Sequence, residues 1–161
     1  IGRENFEKSA GEALKSAGVV LLITGAGGSF SSVIAATGIG NSIVSLLSTG
    51  ASSVVPAMFL CYLIGMIFRV AQGSGTVAGM TSMTIMATVA PAIGCHPVWL
   101  ALACLSGGNS IGHVNDSGFW VATNMSGLTV TGGLKTYTLG SFISAVCIFV
   151  LALIGALVIP L

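Results

Sequence analysis

Charged side chains are scarce in this sequence, and most of them lie at its start. Asp, Glu, Lys and Arg make up 6% of the 161 residues, whereas an ordinary soluble domain has about 25%. After Lys15 the only charged residues are Arg69, Asp116 and Lys135. With so few charged residues, a soluble protein of this size could not solvate its surface. The formal net charge of +1 also leaves no basic face for nucleic acid. The composition therefore predicts an integral membrane protein whose main environment is the lipid bilayer.

Recognisable cysteine patterns are also missing. The four cysteines form no Cys-x-x-Cys pair, and together with the two histidines they match no zinc-binding spacing. We therefore expect no metal, no cofactor and no disulfide framework. A signal peptide is not visible either, because the first residues form a charged helical segment. We interpret the chain as a piece of a longer protein that runs to the natural C-terminus.

Apolar residues and glycine dominate the rest of the sequence. Hydrophobic residues account for 54% of it, and 23 residues are glycine. Residues 1–16 carry six charges at helical spacing and are predicted to form a cytoplasmic or interfacial amphipathic helix, because Arg3, Lys8 and Lys15 favour the cytoplasmic side. Residues 17–161 are the predicted transmembrane region. Its apolar segments favour an all-α fold with about four full spans plus broken or re-entrant helices.

Three segments of this region have specific predictions. Residues 17–48 form an apolar stretch with two polar, glycine-rich interruptions, at 24–29 (Thr-Gly-Ala-Gly-Gly-Ser) and at 37–41 (Thr-Gly-Ile-Gly-Asn). This favours a helix broken near mid-membrane or a re-entrant hairpin, and the alternative is a continuous helix whose glycines allow close packing. Residues 126–133 are predicted to be a polar loop. The final span, from about residue 137 to 161, has few polar residues and is interpreted as a scaffold or lipid-facing helix.

Polar residues are concentrated in the stretch 106–120, Ser-Gly-Gly-Asn-Ser-Ile-Gly-His-Val-Asn-Asp-Ser-Gly-Phe-Trp. The apolar arms on either side are too short to span the bilayer, so this pattern predicts a re-entrant hairpin with a polar tip. An ionisable residue among apolar segments is costly and indicates a functional site by default. The glycines indicate an opened backbone whose amides can hold a ligand. The stretch therefore predicts a substrate or ion site.

Arg69 begins a second polar interruption, which continues with Gln72, Gly73, Ser74 and Thr76. An arginine at the end of a span commonly extends to the lipid headgroups. The alternative is contact with a substrate, since the guanidinium fork suits a carboxylate. From the sequence both interpretations stay open.

Three parts of the sequence resemble the gluconate permease family, whose members are bacterial proton symporters of gluconate and related sugar acids. They are residues 25–30 with 37–40, residues 69–78 (Arg-Val-Ala-Gln-Gly-Ser-Gly-Thr-Val-Ala) and residues 113–120 (His-Val-Asn-Asp-Ser-Gly-Phe-Trp). The chain is similar to the C-terminal part of such a transporter. The resemblance implies a multi-pass protein of the bacterial inner membrane, half of an ion-transporter-superfamily fold with inverted repeats, and often a homodimer.

The candidate site residues follow from the chemistry of a sugar acid, which offers one carboxylate and several hydroxyls. Arg69 would balance the carboxylate, and glycine amides would cradle it. Asp116 in a low dielectric would favour its protonated form and so take up a proton with the substrate. His113 would relay this proton, because histidine as a residue type exchanges protons near neutral pH. The predicted substrate-binding residues are Arg69, Gln72, Gly73, Ser74, Thr76, Asn109, Ser110, Asn115, Ser117, Gly27 and Gly28.

Three functions are compatible with a site of this kind. Secondary transport of gluconate or a related small organic acid, coupled to proton symport, is the preferred hypothesis. A channel or a structural membrane subunit is the alternative. An intramembrane enzyme that uses His113 and Asp116 is the least favoured, because no serine or cysteine motif completes a catalytic set.

Overall fold

Helices account for the regular secondary structure in the part of the chain that the structure describes. The computed structural model describes residues 2–38, 42, 54–87 and 90–159. The helices there are α1 (Arg3–Ala36), α2 (Val54–Gln72), α3 (Gly75–Ala87), α4 (Ala90–Ile93), α5 (Pro97–Gly108), α6 (Ser117–Met125) and α7 (Val130–Val158). Within α7 the residues Leu134–Thr138 form a π-helical turn. The predicted all-α class is confirmed for the described residues.

Two of these helices are long and apolar enough to cross a membrane. They are α2, with 19 residues and a mean hydropathy of 2.0, and α7, with 29 residues and a mean hydropathy of 2.7. A span needs about 20 residues, so the 12 residues of α5 are too few to cross alone. The described residues do not confirm the predicted count of about four full spans, which stays a prediction.

Helix α1 contradicts the break predicted at residues 24–29. It is a single helix of 34 residues, and inside it Ser29 Oγ donates to the carbonyl oxygen of Gly25 at 3.1 Å. A glycine in a helix interior costs only about 1 kcal/mol, and the helical bonds of a long segment can offset this. At residues 24–29 the alternative, a continuous helix through the glycines, is therefore correct. The helix ends at Ala36, just before the second predicted interruption, of which residues 39–41 lie outside the described structure. The predicted boundary between residues 16 and 17 falls inside α1, so a change of environment there stays a prediction.

Helix α7 begins earlier than the sequence predicts. The Thr129 side chain caps it, because its hydroxyl oxygen accepts from the Gly132 amide at 3.1 Å. Threonine is a favoured N-cap residue since it satisfies one of the free amides of the first turn. Residues 130–133, predicted as part of a polar loop, are therefore helical. The final span predicted from residue 137 is the continuation of this helix.

The core lies where α2, α3 and α5 approach one another, with α7 packed against α2 and α5. Glycines allow this approach: a Cβ at Gly107 would overlap the carbonyl group of Tyr62, and a Cβ at Gly108 would lie 2.8 Å from the Gly79 amide nitrogen. Close backbone contact is typical of membrane helices, whose association depends on packing. It holds the C-terminal end of α5, and with it the start of the polar loop, against α2 and α3.

Gly107→Ala is expected to destabilise this packing, because the added methyl group would overlap the Tyr62 carbonyl and push α2 away from α5. Overpacking of this kind costs about 1–3 kcal/mol. Thermal unfolding of the detergent-solubilised protein measures the loss. Gly140→Ala is the matched control, since Gly140 lies in α7 with nothing within 4 Å of an added Cβ. Equal stability of the two variants would contradict this account of the helix contact.

Candidate functional site

The loop between α5 and α6, residues 109–116, lies against the turn that joins α2 to α3. Asn115 Nδ2 donates to the carbonyl oxygen of Val70 at 2.8 Å. Gly73 in that turn has a φ of +72°, and a Cβ there would overlap the Asn115 backbone. A residue with a side chain at position 73 would be both strained and blocked. The two polar interruptions of the sequence therefore meet in space.

Asp116 lies at the centre of this contact. It is the N-cap of α6, and its Oδ1 accepts from the Gly118 amide at 2.9 Å. Its Oδ2 forms an ion pair with Arg69 Nη2 and accepts from the Tyr137 hydroxyl at 3.0 Å. Asp116 is 5% exposed and Arg69 is 4% exposed. Donors from α2, α6 and α7 thus converge on one buried carboxylate and satisfy its capacity to accept hydrogen bonds.

Arg69 keeps donors that this ion pair does not use. A guanidinium carries five N–H donors. Nη1 lies 3.5 Å from the carbonyl oxygen of Gly73, and Nε has no hydrogen-bond partner among the described residues. Extension of Arg69 to the lipid headgroups is therefore the wrong interpretation, because the side chain is buried against Asp116. Asp116 therefore does not engage every donor of Arg69.

The π-helical turn of α7 brings a third element to the loop. Besides the bond from Tyr137, Thr138 Oγ1 donates to the carbonyl oxygen of Gly112, and Ser141 Oγ donates to that of Ser110 at 2.6 Å. π-helical turns within α-helices occur frequently at functional sites. The interpretation of the final span as scaffold alone is therefore wrong for its N-terminal end.

Tyr137 is the site residue that sequence reasoning missed. A usable signal was present, because Tyr137 and Ser141 are four residues apart and Thr138 and Ser141 are three apart, so their hydroxyls share one face of a helix. A helix that faces only lipid would not concentrate hydroxyls in this way. The extra residue that the π-helical turn accommodates has no comparable signal in the sequence.

A cavity of about 700 Å³ opens beside the ion pair. This volume lies in the range of about 300–1,000 Å³ that is usual for small-molecule sites. Apolar side chains of α3, α5 and α7 form part of the wall, and polar groups converge at the ion pair. The polar side chains that line the cavity are Arg69, Ser74, Thr76, Ser106, Asn109, Asp116, Ser117 and Tyr137.

Most of the predicted polar site residues therefore share one cavity. The predicted residues that line it are Arg69, Ser74, Thr76, Asn109, Ser117 and Asp116. Four other predicted residues do not line it but are near in sequence to residues that do: Gln72, Gly73, Ser110 and Asn115. Gly27 and Gly28 lie within α1, and what surrounds them falls outside the described structure. Of the stretch 37–40, residues 39 and 40 fall outside it as well.

His113 does not occupy the position predicted for a proton relay. The Asp116 amide donates to the carbonyl oxygen of His113 at 2.8 Å, but the carboxylate oxygens of Asp116 are bonded to Arg69, Tyr137 and Gly118. His113 Nδ1 is buried without a partner among the described residues. A direct imidazole–carboxylate relay is therefore not part of this arrangement.

Comparisons with known proteins point to one family. A family model described as GntP family permease matches residues 2–158. The inner membrane permease YgbN of Escherichia coli (strain K12) is 39% identical over 131 residues, which are 80% of this chain and 28% of that protein. A high-affinity gluconate transporter of the same strain is 36% identical over 152 residues, 91% of this chain and 33% of the transporter. A gluconate permease of Pseudomonas aeruginosa is 32% identical over 148 residues, 91% of this chain and 32% of the permease.

The chain spans about a third of the length of the curated relatives that it matches. No solved structure matches it. The family model extends over nearly all of the sequence and includes both polar interruptions that meet at Asp116. This chain belongs to the GntP permease family.

Proposed function

We propose that this chain carries the substrate and proton site of a secondary transporter of the bacterial inner membrane, which moves gluconate or a related small sugar acid together with a proton. The observation that carries the proposal is the buried Arg69–Asp116 ion pair in the wall of a polar cavity. The names of the gluconate-transporting relatives support the substrate class. A homodimer stays a prediction.

The cavity offers the groups that a sugar acid requires. Arg69 lines the cavity and supplies a cation for the carboxylate. Hydroxyls and an amide from three different segments, Ser74, Thr76, Asn109 and Ser117, line the same space and can exchange hydrogen bonds with sugar hydroxyls. The apolar part of the wall suits the carbon chain.

Proton coupling follows from competition for Arg69. Arg69 and Asp116 form an ion pair, and in this proposal the two charges cancel when no substrate is bound. A proton on Asp116 removes that negative charge, and Arg69 is then left to bind the carboxylate of the substrate. The empty site and the loaded site both have a net charge of zero, which avoids the high cost of an unpaired charge inside a membrane protein. The substrate anion and the proton therefore bind as a neutral pair.

Uptake by right-side-out membrane vesicles tests this function. With labelled gluconate and an acidic outer compartment, right-side-out vesicles that contain the protein should accumulate substrate, and the rate should saturate with substrate concentration. A protonophore should abolish accumulation. Vesicles from cells without the protein are the control. A flux that neither saturates nor responds to the pH gradient would indicate a channel, and conversion of the gluconate would indicate an enzyme.

A further inference from the structure

Tyr137 belongs to the same cluster as the ion pair, although it lies on a different helix. Its hydroxyl donates to Asp116 Oδ2 at 3.0 Å, the oxygen that also binds Arg69. Two donors from α2 and α7 thus converge on one carboxylate oxygen. Tyr137 also lines the cavity, so it borders the space that a substrate would occupy.

The surroundings of the Tyr137 ring hold the hydroxyl in this position. A Cβ at Gly112 would lie 2.7 Å from Tyr137 Cε1, and a Cβ at Gly118 would lie 2.8 Å from the hydroxyl oxygen. The ring also packs edge-on against Phe119, with 5.9 Å between the ring centres. Two glycines on either side of Asp116 therefore leave the space for the tyrosine, which belongs to the π-helical turn.

We propose that Tyr137 is a positioning residue for proton coupling: its hydroxyl holds the Asp116 carboxylate in the ionised form while the site is empty, and so sets the pH at which the transporter loads. This inference rests on the proposed function. A hydrogen bond donated to a carboxylate favours the charged form over the protonated one. A proton must displace this bond as well as the ion pair before Arg69 is released.

Few other ionisable groups face Asp116. Arg69 approaches it from α2 and Tyr137 from α7, and His113 precedes it on the same loop without a hydrogen bond to the carboxylate. Helices α3 and α6 contain no ionisable side chain. The ionisable residues of α5 and the remainder of α7 do not line the cavity: Cys104, Lys135 and Cys147. A shift in the pH profile of uptake caused by a change at Tyr137 should therefore reflect the protonation of Asp116.

The test is the pH dependence of uptake in the protein as the cell makes it. The initial rate of labelled gluconate uptake into right-side-out vesicles is measured against external pH, with the internal pH held constant. Tyr137→Phe removes the donor, so protonation of Asp116 becomes easier and the midpoint of the pH profile should move to higher pH, on the order of one pH unit. A monofluorotyrosine incorporated at position 137 has a more acidic hydroxyl and is a stronger donor, so the midpoint should move to lower pH.

Tyr62→Phe is the matched control. The Tyr62 hydroxyl is buried in the core without a hydrogen-bond partner among the described residues, so removal of the same atom there should leave the midpoint unchanged. A purely structural role of Tyr137 predicts a lower maximal rate with an unmoved midpoint, and that result overturns the inference. If Tyr137→Phe does not reach the membrane, the fluorotyrosine variant is decisive: a midpoint at lower pH supports the inference, and an unmoved midpoint overturns it. Wild-type uptake that ignores the pH gradient overturns the proposed function itself, and the inference with it.

Discussion

Asp116→Asn is expected to abolish proton-driven accumulation of substrate while exchange of substrate across the membrane persists. Asparagine resembles the protonated aspartic acid and cannot ionise, so it would leave Arg69 permanently available to the substrate carboxylate. A gradient of about one pH unit corresponds to roughly 1.4 kcal/mol per proton and can hold about tenfold accumulation. In vesicles with such a gradient, the accumulation ratio of the variant should fall to about one. Counterflow exchange, which requires no net proton movement, should continue.

The fold of this variant should survive, because asparagine is as good an N-cap as aspartate and α6 keeps its capping bond to the Gly118 amide. Glu12→Gln is the control, since it removes a carboxylate from an exposed position of α1. Accumulation should be unchanged there. If Asp116→Asn still accumulates substrate in response to the gradient, then Asp116 acts only as a helix cap and the proton binds elsewhere.

Arg69→Lys is expected to weaken the apparent affinity for a carboxylate substrate by tenfold or more, about 1.4 kcal/mol. Lysine keeps the positive charge but loses the planar fork that can hold Asp116 and a second anion at once. The measurement is the substrate concentration that gives half-maximal counterflow. Lys135→Gln is the control because it removes a cation that does not line the cavity, and its affinity should match that of the wild type.

Arg69→Ala should have a second effect that depends on Asp116. Removal of one partner of a buried ion pair costs about 3–5 kcal/mol, because the other charge stays buried and unpaired. The amount of this variant in the membrane should therefore fall. In the double variant Arg69→Ala with Asp116→Asn, no unpaired charge remains, so the amount should recover while substrate binding stays lost. Wild-type affinity in the double variant would show that Arg69 has a structural role alone.

The sequence by itself determined the class of protein and the position of its polar loop. Scarce charge over residues 16–161 excludes a soluble surface whatever the fold. The break between α5 and α6 could be predicted because it depends on local chemistry, namely the glycines at the end of α5 and the capping side chain of Asp116. Helix α2 also follows local chemistry, since its residues are mostly apolar and Gly73, which follows it, has a positive φ.

The tertiary structure decided where the polar residues lie and what they contact. Arg69 and Asp116 are 47 residues apart in the chain, and whether the arginine meets lipid, substrate or aspartate depends on how α2 packs against the loop. The contact of Tyr137 with Asp116 is made from a π-helical turn, and the continuity of α1 through residues 24–29 depends on a balance of about 1 kcal/mol per glycine. Differences of this size lie below what local sequence preferences can resolve. Contacts between helices that are distant in the sequence select one arrangement. Only packing brings backbones close together and creates the low-dielectric surroundings in which an ion pair and its hydrogen bonds are strong.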